Sequence, residues 1–144
     1  MRFITLFIAV LMISGCASKP SITQTVEFRH FVRDFFNIEE YQKKHVQFPL
    51  EVVYYSYNED EFDAVLLSKH ITEKDWKHYE GPDYYRCESN CFDLVIYDDF
   101  QRTHKESNER VLSFEGVSNG INSSLYFKRI NGQWYLVKHE QFDN

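Results

Sequence analysis

The sequence predicts an α+β domain, with N-terminal helices packed on an antiparallel sheet, and three observations carry that prediction. Phe28, Phe31, Val32, Phe35 and Phe36 recur at helical spacing and form one apolar stripe. From residue 50 onward, apolar and aromatic residues fall into short segments separated by turn-forming residues. Near the end, Asn131-Gly132 joins two aromatic segments, a two-residue hairpin signal. Helices first and strands afterwards is the α+β order.

The first element in the chain is a segment expected to be removed. Arg2 precedes a run from Phe3 to Ile13 that is apolar except for Thr5. A helix that crosses a bilayer needs about 20 apolar residues, so this run is too short, and small residues close it as they close a secretory signal. Its ending, Ile13-Ser14-Gly15-Cys16, resembles a bacterial lipobox. The resemblance implies diacylation of the Cys16 thiol, cleavage before it, and acylation of the new amino group. A secretory signal without lipid is the alternative reading. Several acyl chains anchor a protein firmly where one does not, so the expected membrane contact is the lipid on Cys16. Ala17 follows, not an aspartate, which by resemblance to Gram-negative sorting implies the periplasmic face of the outer membrane. Residues 1–15 are therefore expected to be a signal peptide, 16–25 a lipidated cysteine and polar tether, and 26–144 one domain.

Helix one is expected over residues 25–37 and helix two over 38–46, with Tyr41 and His45 four apart. Phe48-Pro49-Leu50 ends the second, because a residue before proline avoids the helical region. The segments "LEVVYYSY" and "FDAVLLSKHI" read as strands around the acidic turn Asn58-Glu59-Asp60-Glu61. Thr72, with Asp75 three positions on, is expected to cap a single helical turn. After a hairpin containing Cys87 and Cys91 comes a polar loop, residues 98–109, then the strand "RVLSFEGV". In the final hairpin a two-residue turn sets the register. Phe127 should face Leu136, and Arg129 face Trp134, on the side toward the helices. Tyr126 should face Val137, and Lys128 face Tyr135, on the other side, where His139 falls near Ser124 and is open to water.

Of three cysteines, Cys87 and Cys91 remain once Cys16 carries lipid. They flank Glu88-Ser89-Asn90, a three-residue hairpin loop in which Asn90 takes the left-handed position. Facing residues in such a hairpin come close enough to bond, and the exported setting is oxidising. A disulfide stabilising the fold by about 2 kcal/mol is the expectation. A redox or metal pair is the alternative. Its spacing is one residue too long for a thioredoxin-type pair, and no second ligand pair lies nearby.

The chain has 16 Lys+Arg against 22 Asp+Glu, a net charge of −6, and no basic block. Nucleic acid is therefore excluded as a partner. The five glycines form no phosphate-cradling loop, so no cofactor is expected. Aromatic residues make up 17% of the chain, a content that suits both a large-side-chain core and a protein-binding face.

"F-x3-FF" in helix one, "YQ-x2-HVQFPL" from Tyr41, "ITEKDW" from Ile71 and the aromatic closing hairpin together resemble a group of small bacterial lipoproteins. Their domain is of unknown function and has a nuclear transport factor 2-like (cystatin-like) fold. The resemblance spans roughly residues 28–142 and implies a curved, cone-shaped sheet wrapped by the helices. Tyr41 stands where that pattern has phenylalanine. The shared residues are packing residues, so the resemblance implies a fold and no chemistry.

Acid–base work in a cone pocket needs a His or Asp directed inward among apolar walls. His30 and Asp34, four apart beside the Phe stripe, read as a solvated pair. His45 reads as a structural histidine behind Phe48-Pro49. His70 and His78 bracket "TEKDW" without a third metal ligand within reach in sequence. His139 is a candidate for the pocket mouth. No catalytic residue is expected. The strongest binding candidate is "KHYEGPDYYR", where His78, Tyr79, Tyr84 and Tyr85 surround the Gly81-Pro82 turn. Tyrosines on a rigid loop are favoured at binding surfaces, while cover for the sheet edge is the structural alternative. The acidic segments "YNEDEFD" and "YDDF" suit a basic partner or plain solvated turns. The expected function is a non-enzymatic, lipid-anchored module binding a protein or a small molecule. An immunity or exclusion lipoprotein that neutralises an incoming toxin or transfer apparatus is the alternative, followed by a pocket enzyme.

Overall fold

The phenylalanine stripe does form one buried face of a helix. In the computed structural model, which describes residues 22–58, 63–80, 92–103, 105, 107–117, 120 and 122–142, the helix is α1 (Ile22–Asn37). Phe28, Phe31 and Phe35 are at most 5% exposed. All three rings meet Phe127 edge-on, with centroids 5.7, 5.4 and 5.3 Å away. That geometry places ring edges against ring faces, and each buried ring contributes about 1.5–3 kcal/mol through area alone. Among the described residues, no helix is long and apolar enough to cross a membrane.

α2 (Glu39–Lys44) is shorter than the sequence predicts. The chain leaves the helix at His45 because β1 (Val46–Asn58) has already begun: Val46 pairs with Leu136, whose N–H donates to the His45 carbonyl at 2.8 Å. Phe48-Pro49, a cis peptide, therefore lies inside a strand. A register shift between Val46 and Glu51 accommodates a residue that has no N–H to give the ladder.

The other strands are β2 (Asp63–Ile71), β3 (Phe92–Tyr97), β4 (Glu109–Gly116), β5 (Asn122–Ile130) and β6 (Gln133–Phe142). They form one sheet in the order β2-β1-β6-β5-β4-β3. The expectation of a wholly antiparallel sheet is corrected here, because β1 and β6 run parallel. Turn residues dictate hairpins, and every hairpin pair is antiparallel. The β1–β6 pair joins distant segments, and its direction follows from the crossing between β2 and β3. No turn signal encodes that crossing. Thr72 and Asp75 do bond, Oγ1 to Oδ2 at 2.6 Å, but they close a turn and not a helix.

The last hairpin turns at Asn131 and Gly132, both at positive φ (50° and 83°), as a type I′ turn requires. Phe127–Leu136, Arg129–Trp134 and Lys128–Tyr135 pair as the sequence predicts. Tyr126 pairs with Lys138, not Val137, because a bulge between Tyr126 and Phe127 leaves Val137 as an extra residue in β6.

The face toward the helices, here the inner face, carries Leu50, Val52, Leu112, Phe114, Leu125, Phe127, Trp134 and Leu136, all in one core. Arg110 joins them, 1% exposed, with its guanidinium 5.4 Å from the Trp134 ring. Its Nη1 donates to the carbonyls of Asp98, Ser107 and Glu109, as a buried cation requires. On the outer face the polar loop closes over Ser124 and Tyr126: Arg102 donates to Ser124 Oγ at 2.8 Å, and Phe100 packs on Tyr126. The helices do not cover the whole inner face. Val65 and Leu67, paired with Ser56 and Tyr54, are 51% and 40% exposed.

Candidate functional site

One extra residue in β6 assembles the site. Regular alternation from Leu136 would put His139 on the outer face, opposite Ser124. The bulge reverses the alternation, so His139 sits opposite Leu125, on the inner face, and is 9% exposed. There its Nε2 is hydrogen-bonded to Ser123 Oγ at 2.9 Å, and Ser123 Oγ lies 3.3 Å from Tyr79 Oη. The Tyr79 ring closes the group from the other side, 5.3 Å from the imidazole.

Tyr79 reaches this position because Gln42 holds its backbone. The Gln42 side chain is fully buried; Nε2 donates to the Tyr79 carbonyl at 2.8 Å and Oε1 accepts the Tyr79 N–H at 2.7 Å. A further donation from Nε2 to the Phe35 carbonyl, at 2.9 Å, ties the pair to α1. The amide thus imitates a neighbouring strand. Tyr79→Phe removes the hydroxyl beside Ser123 and keeps the ring, so about 1 kcal/mol of stability should be lost in equilibrium denaturation.

Burial pushes His139 down to about 4, with Lys69 lowering it further and Glu140 opposing. The ring is therefore neutral at pH 7 and serves as a hydrogen-bonding wall, not a charge. Beside it opens a cleft of about 180 Å³ lined by Val52, Tyr54, Tyr55, Lys69 and Gln141. Lys69 Nζ stands 5.3 Å over the Tyr54 ring.

A second cleft, of about 320 Å³, lies between the helices and the tip of the last hairpin, with His30, Asp34, Tyr41 and His45 in its lining. Its charges are already matched: Glu27 pairs with Arg129 at 3.0 Å and Asp34 with Arg33 at 2.8 Å. His45 donates from Nδ1 to the Tyr41 carbonyl at 2.8 Å and stacks on that ring, which leaves it a structural part. Burial, then the nearby Asp34, raises the Tyr41 phenol above its ordinary value.

Of the residues the sequence singles out, the structure brings Tyr79 and His139 together. His78 is half-buried, its Nε2 without a hydrogen-bond partner, outside that group. His70 is exposed on β2, and among the described residues no three His, Cys, Asp or Glu side chains gather as a metal site. Tyr84, Tyr85, Cys87, Cys91 and Cys16 lie outside the described residues. Sequence reasoning passed over Ser123, Gln42, Lys69 and Gln141. Gln42 had a signal, since it is the polar residue inside the quoted "YQ-x2-H" pattern.

The pattern of a family described as Domain of unknown function (DUF4348) matches residues 11–141. Among solved structures, the chain is similar to a nuclear transport factor 2-like protein from Bacteroides fragilis, with TM-score 0.52 and 16% identity over 79% of this chain and 46% of that one. The chain thus spans less than half the length of that relative. It is also similar to a nuclear transport factor 2-like protein of unknown function from Methylobacillus flagellatus, with TM-score 0.45 and 13% identity over 86% and 94% of the two chains. A third is a protein of unknown function with a cystatin-like fold from Nostoc punctiforme, with TM-score 0.45 and 9% identity over 88% and 96%. Such identities speak to fold alone. No match is found among curated proteins.

Proposed function

We propose a function from this premise: the chain belongs to the DUF4348 family, a domain of unknown function, so its role has to be read from its own residues. It is a non-enzymatic binding module, lipid-anchored through Cys16 at the periplasmic face of the outer membrane. It takes its ligand at the open end of a cone-shaped sheet. The observation that carries this reading is the convergence of Tyr79, Ser123 and His139 on the inner face, beside a cleft the helices leave open. A few polar groups set into an apolar concave wall are the usual composition of a ligand site.

Ser123 and His139 bonded together also invite a nucleophilic reading. The imidazole argues against it. A base held near 4 has little drive to take a serine proton at pH 7, where useful general bases sit close to the working pH.

Gln141 is exposed on β6 and lines the cleft, so Gln141→Trp should fill it without disturbing the core. Small acids, amines and sugars that raise the melting temperature of the wild-type chain should lose that effect in Gln141→Trp. If every hit stabilises both proteins equally, the cleft is not the site. Anchoring is tested separately. Cys16→Ser protein should stay unprocessed and leave the detergent phase, and processed Cys16→Ser protein still on membranes would overturn the lipid reading.

A further inference from the structure

The uncovered part of the inner face has a definite composition. Register places Val52, Tyr54 and Ser56 of β1 beside Lys69, Leu67 and Val65 of β2. Of these six residues Lys69 alone is charged, and no carboxylate lines the adjoining cleft. Among the described residues Lys69 makes no ion pair; its ammonium sits over the Tyr54 ring. In a chain of net charge −6, an unpaired cation at one end of an exposed apolar strip needs an explanation. Soluble proteins seldom leave such strips open without a ligand or partner for them.

We propose that the strip binds a free, single-chain aliphatic carboxylate, its head group at Lys69 and Gln141 and its tail along Leu67 and Val65. This rests on the cleft being the ligand site. One unpaired cation matches one negative charge, and the Gln141 amide supplies a further donor for the second carboxylate oxygen. The four residue steps from Lys69 to Val65 extend about 13 Å, so the apolar part calls for a chain and not a ring. The strip is two strands wide, about 4.8 Å between them, a footprint that suits a single acyl chain. With Lys69 the one charged residue in its lining, the cleft would leave a doubly charged phosphate head half unmatched.

The full chain, held in phospholipid nanodiscs, is titrated calorimetrically with decanoate, octanoate and decyltrimethylammonium, with empty nanodiscs as the blank. Decanoate should bind, octanoate about tenfold more weakly for the two missing methylenes, and the cation of equal tail length not at all. Lys69→Met should weaken decanoate about tenfold with an unchanged melting temperature, since Lys69 is exposed. Leu67→Gln should reduce the difference between decanoate and octanoate. The proposal is overturned if decanoate fails to bind, if the cation binds equally, or if Lys69→Met binds decanoate as well as wild type. It is also overturned if a peptide with a free C-terminal carboxylate binds and decanoate does not. Gln141→Trp separates the two levels. If it still blocks other ligands while decanoate does not bind, the cleft remains the site and only the ligand assignment is lost.

Discussion

Gln42→Leu is expected to destabilise the domain by about 3–4 kcal/mol. Leucine fills nearly the same volume, so the loss comes from hydrogen bonds and not from a cavity. The wild-type amide satisfies the Phe35 carbonyl and both the N–H and the carbonyl of Tyr79. Leucine deprives all three of that partner in a place where Gln42 itself has no exposure. Each buried group left without a partner costs roughly 1–3 kcal/mol, and some relaxation of the 72–80 segment returns part of it. Gln42→Glu distinguishes this from general disruption. Glutamate still accepts the Tyr79 N–H but turns a carboxylate toward two carbonyls, so it should be no better than leucine. Equilibrium denaturation gives the energies, and amide exchange at Tyr79 gives the cause: its protection should fall in Gln42→Leu and persist in Gln42→Glu. A Gln42→Leu protein within 0.5 kcal/mol of wild type, or with full protection at Tyr79, would show that this amide does not fasten the site.

The contrast between Gln42 and its neighbours explains how far the sequence is readable. Periodicity reports which side a residue faces, and it located the face of α1 through five residues at helical spacing. Turn chemistry reports local pairing, and Asn131-Gly132 set the end of the last hairpin correctly as far as Phe127. Neither reports what a distant segment will do. The parallel β1–β6 pair depends on a crossing between strands far apart in the chain. The bulge beyond Phe127 depends on how β6 must bend to meet β1 as well as β5. Because side chains alternate with a period of two, that single insertion moved His139 from the expected outer face to the inner one. The family resemblance led to the right fold, since packing residues carry both. Ser123 and Lys69 are ordinary strand residues in sequence, and their meaning comes only from the register that sets them beside His139 and Tyr54. Arg110 likewise reads as a strand's first charged residue, and only the loop carbonyls around it account for its burial.

His139 supplies the second large effect, which appears as a dependence of stability on pH. In the unfolded chain a histidine takes up a proton near pH 6.5; in the folded protein burial lowers this to about 4. The unfolded state therefore binds more protons throughout that window, and stability rises with pH across it. Above about 6.5 both states are neutral and the contribution is complete. As pH falls toward 4 it is lost, by about 3 kcal/mol for a shift of this size. Denaturant unfolding of the wild type at pH 7 and at pH 4.5 should show most of that loss. His139→Gln removes the titrating ring but keeps a group able to bond Ser123, so its stability should vary by less than about 1 kcal/mol between the same two pH values. It should also be the less stable protein at pH 7, because the aromatic contact with Tyr79 goes with the ring. At pH 4.5 the order should narrow or reverse, since only the wild type then works against a proton. If the two proteins lose stability in parallel, the acid sensitivity belongs to other groups and the imidazole is not sealed on the inner face. The same measurement bears on ligand binding: acid that charges His139 would add a second positive charge near the Lys69 ammonium and weaken the fold that carries the cleft.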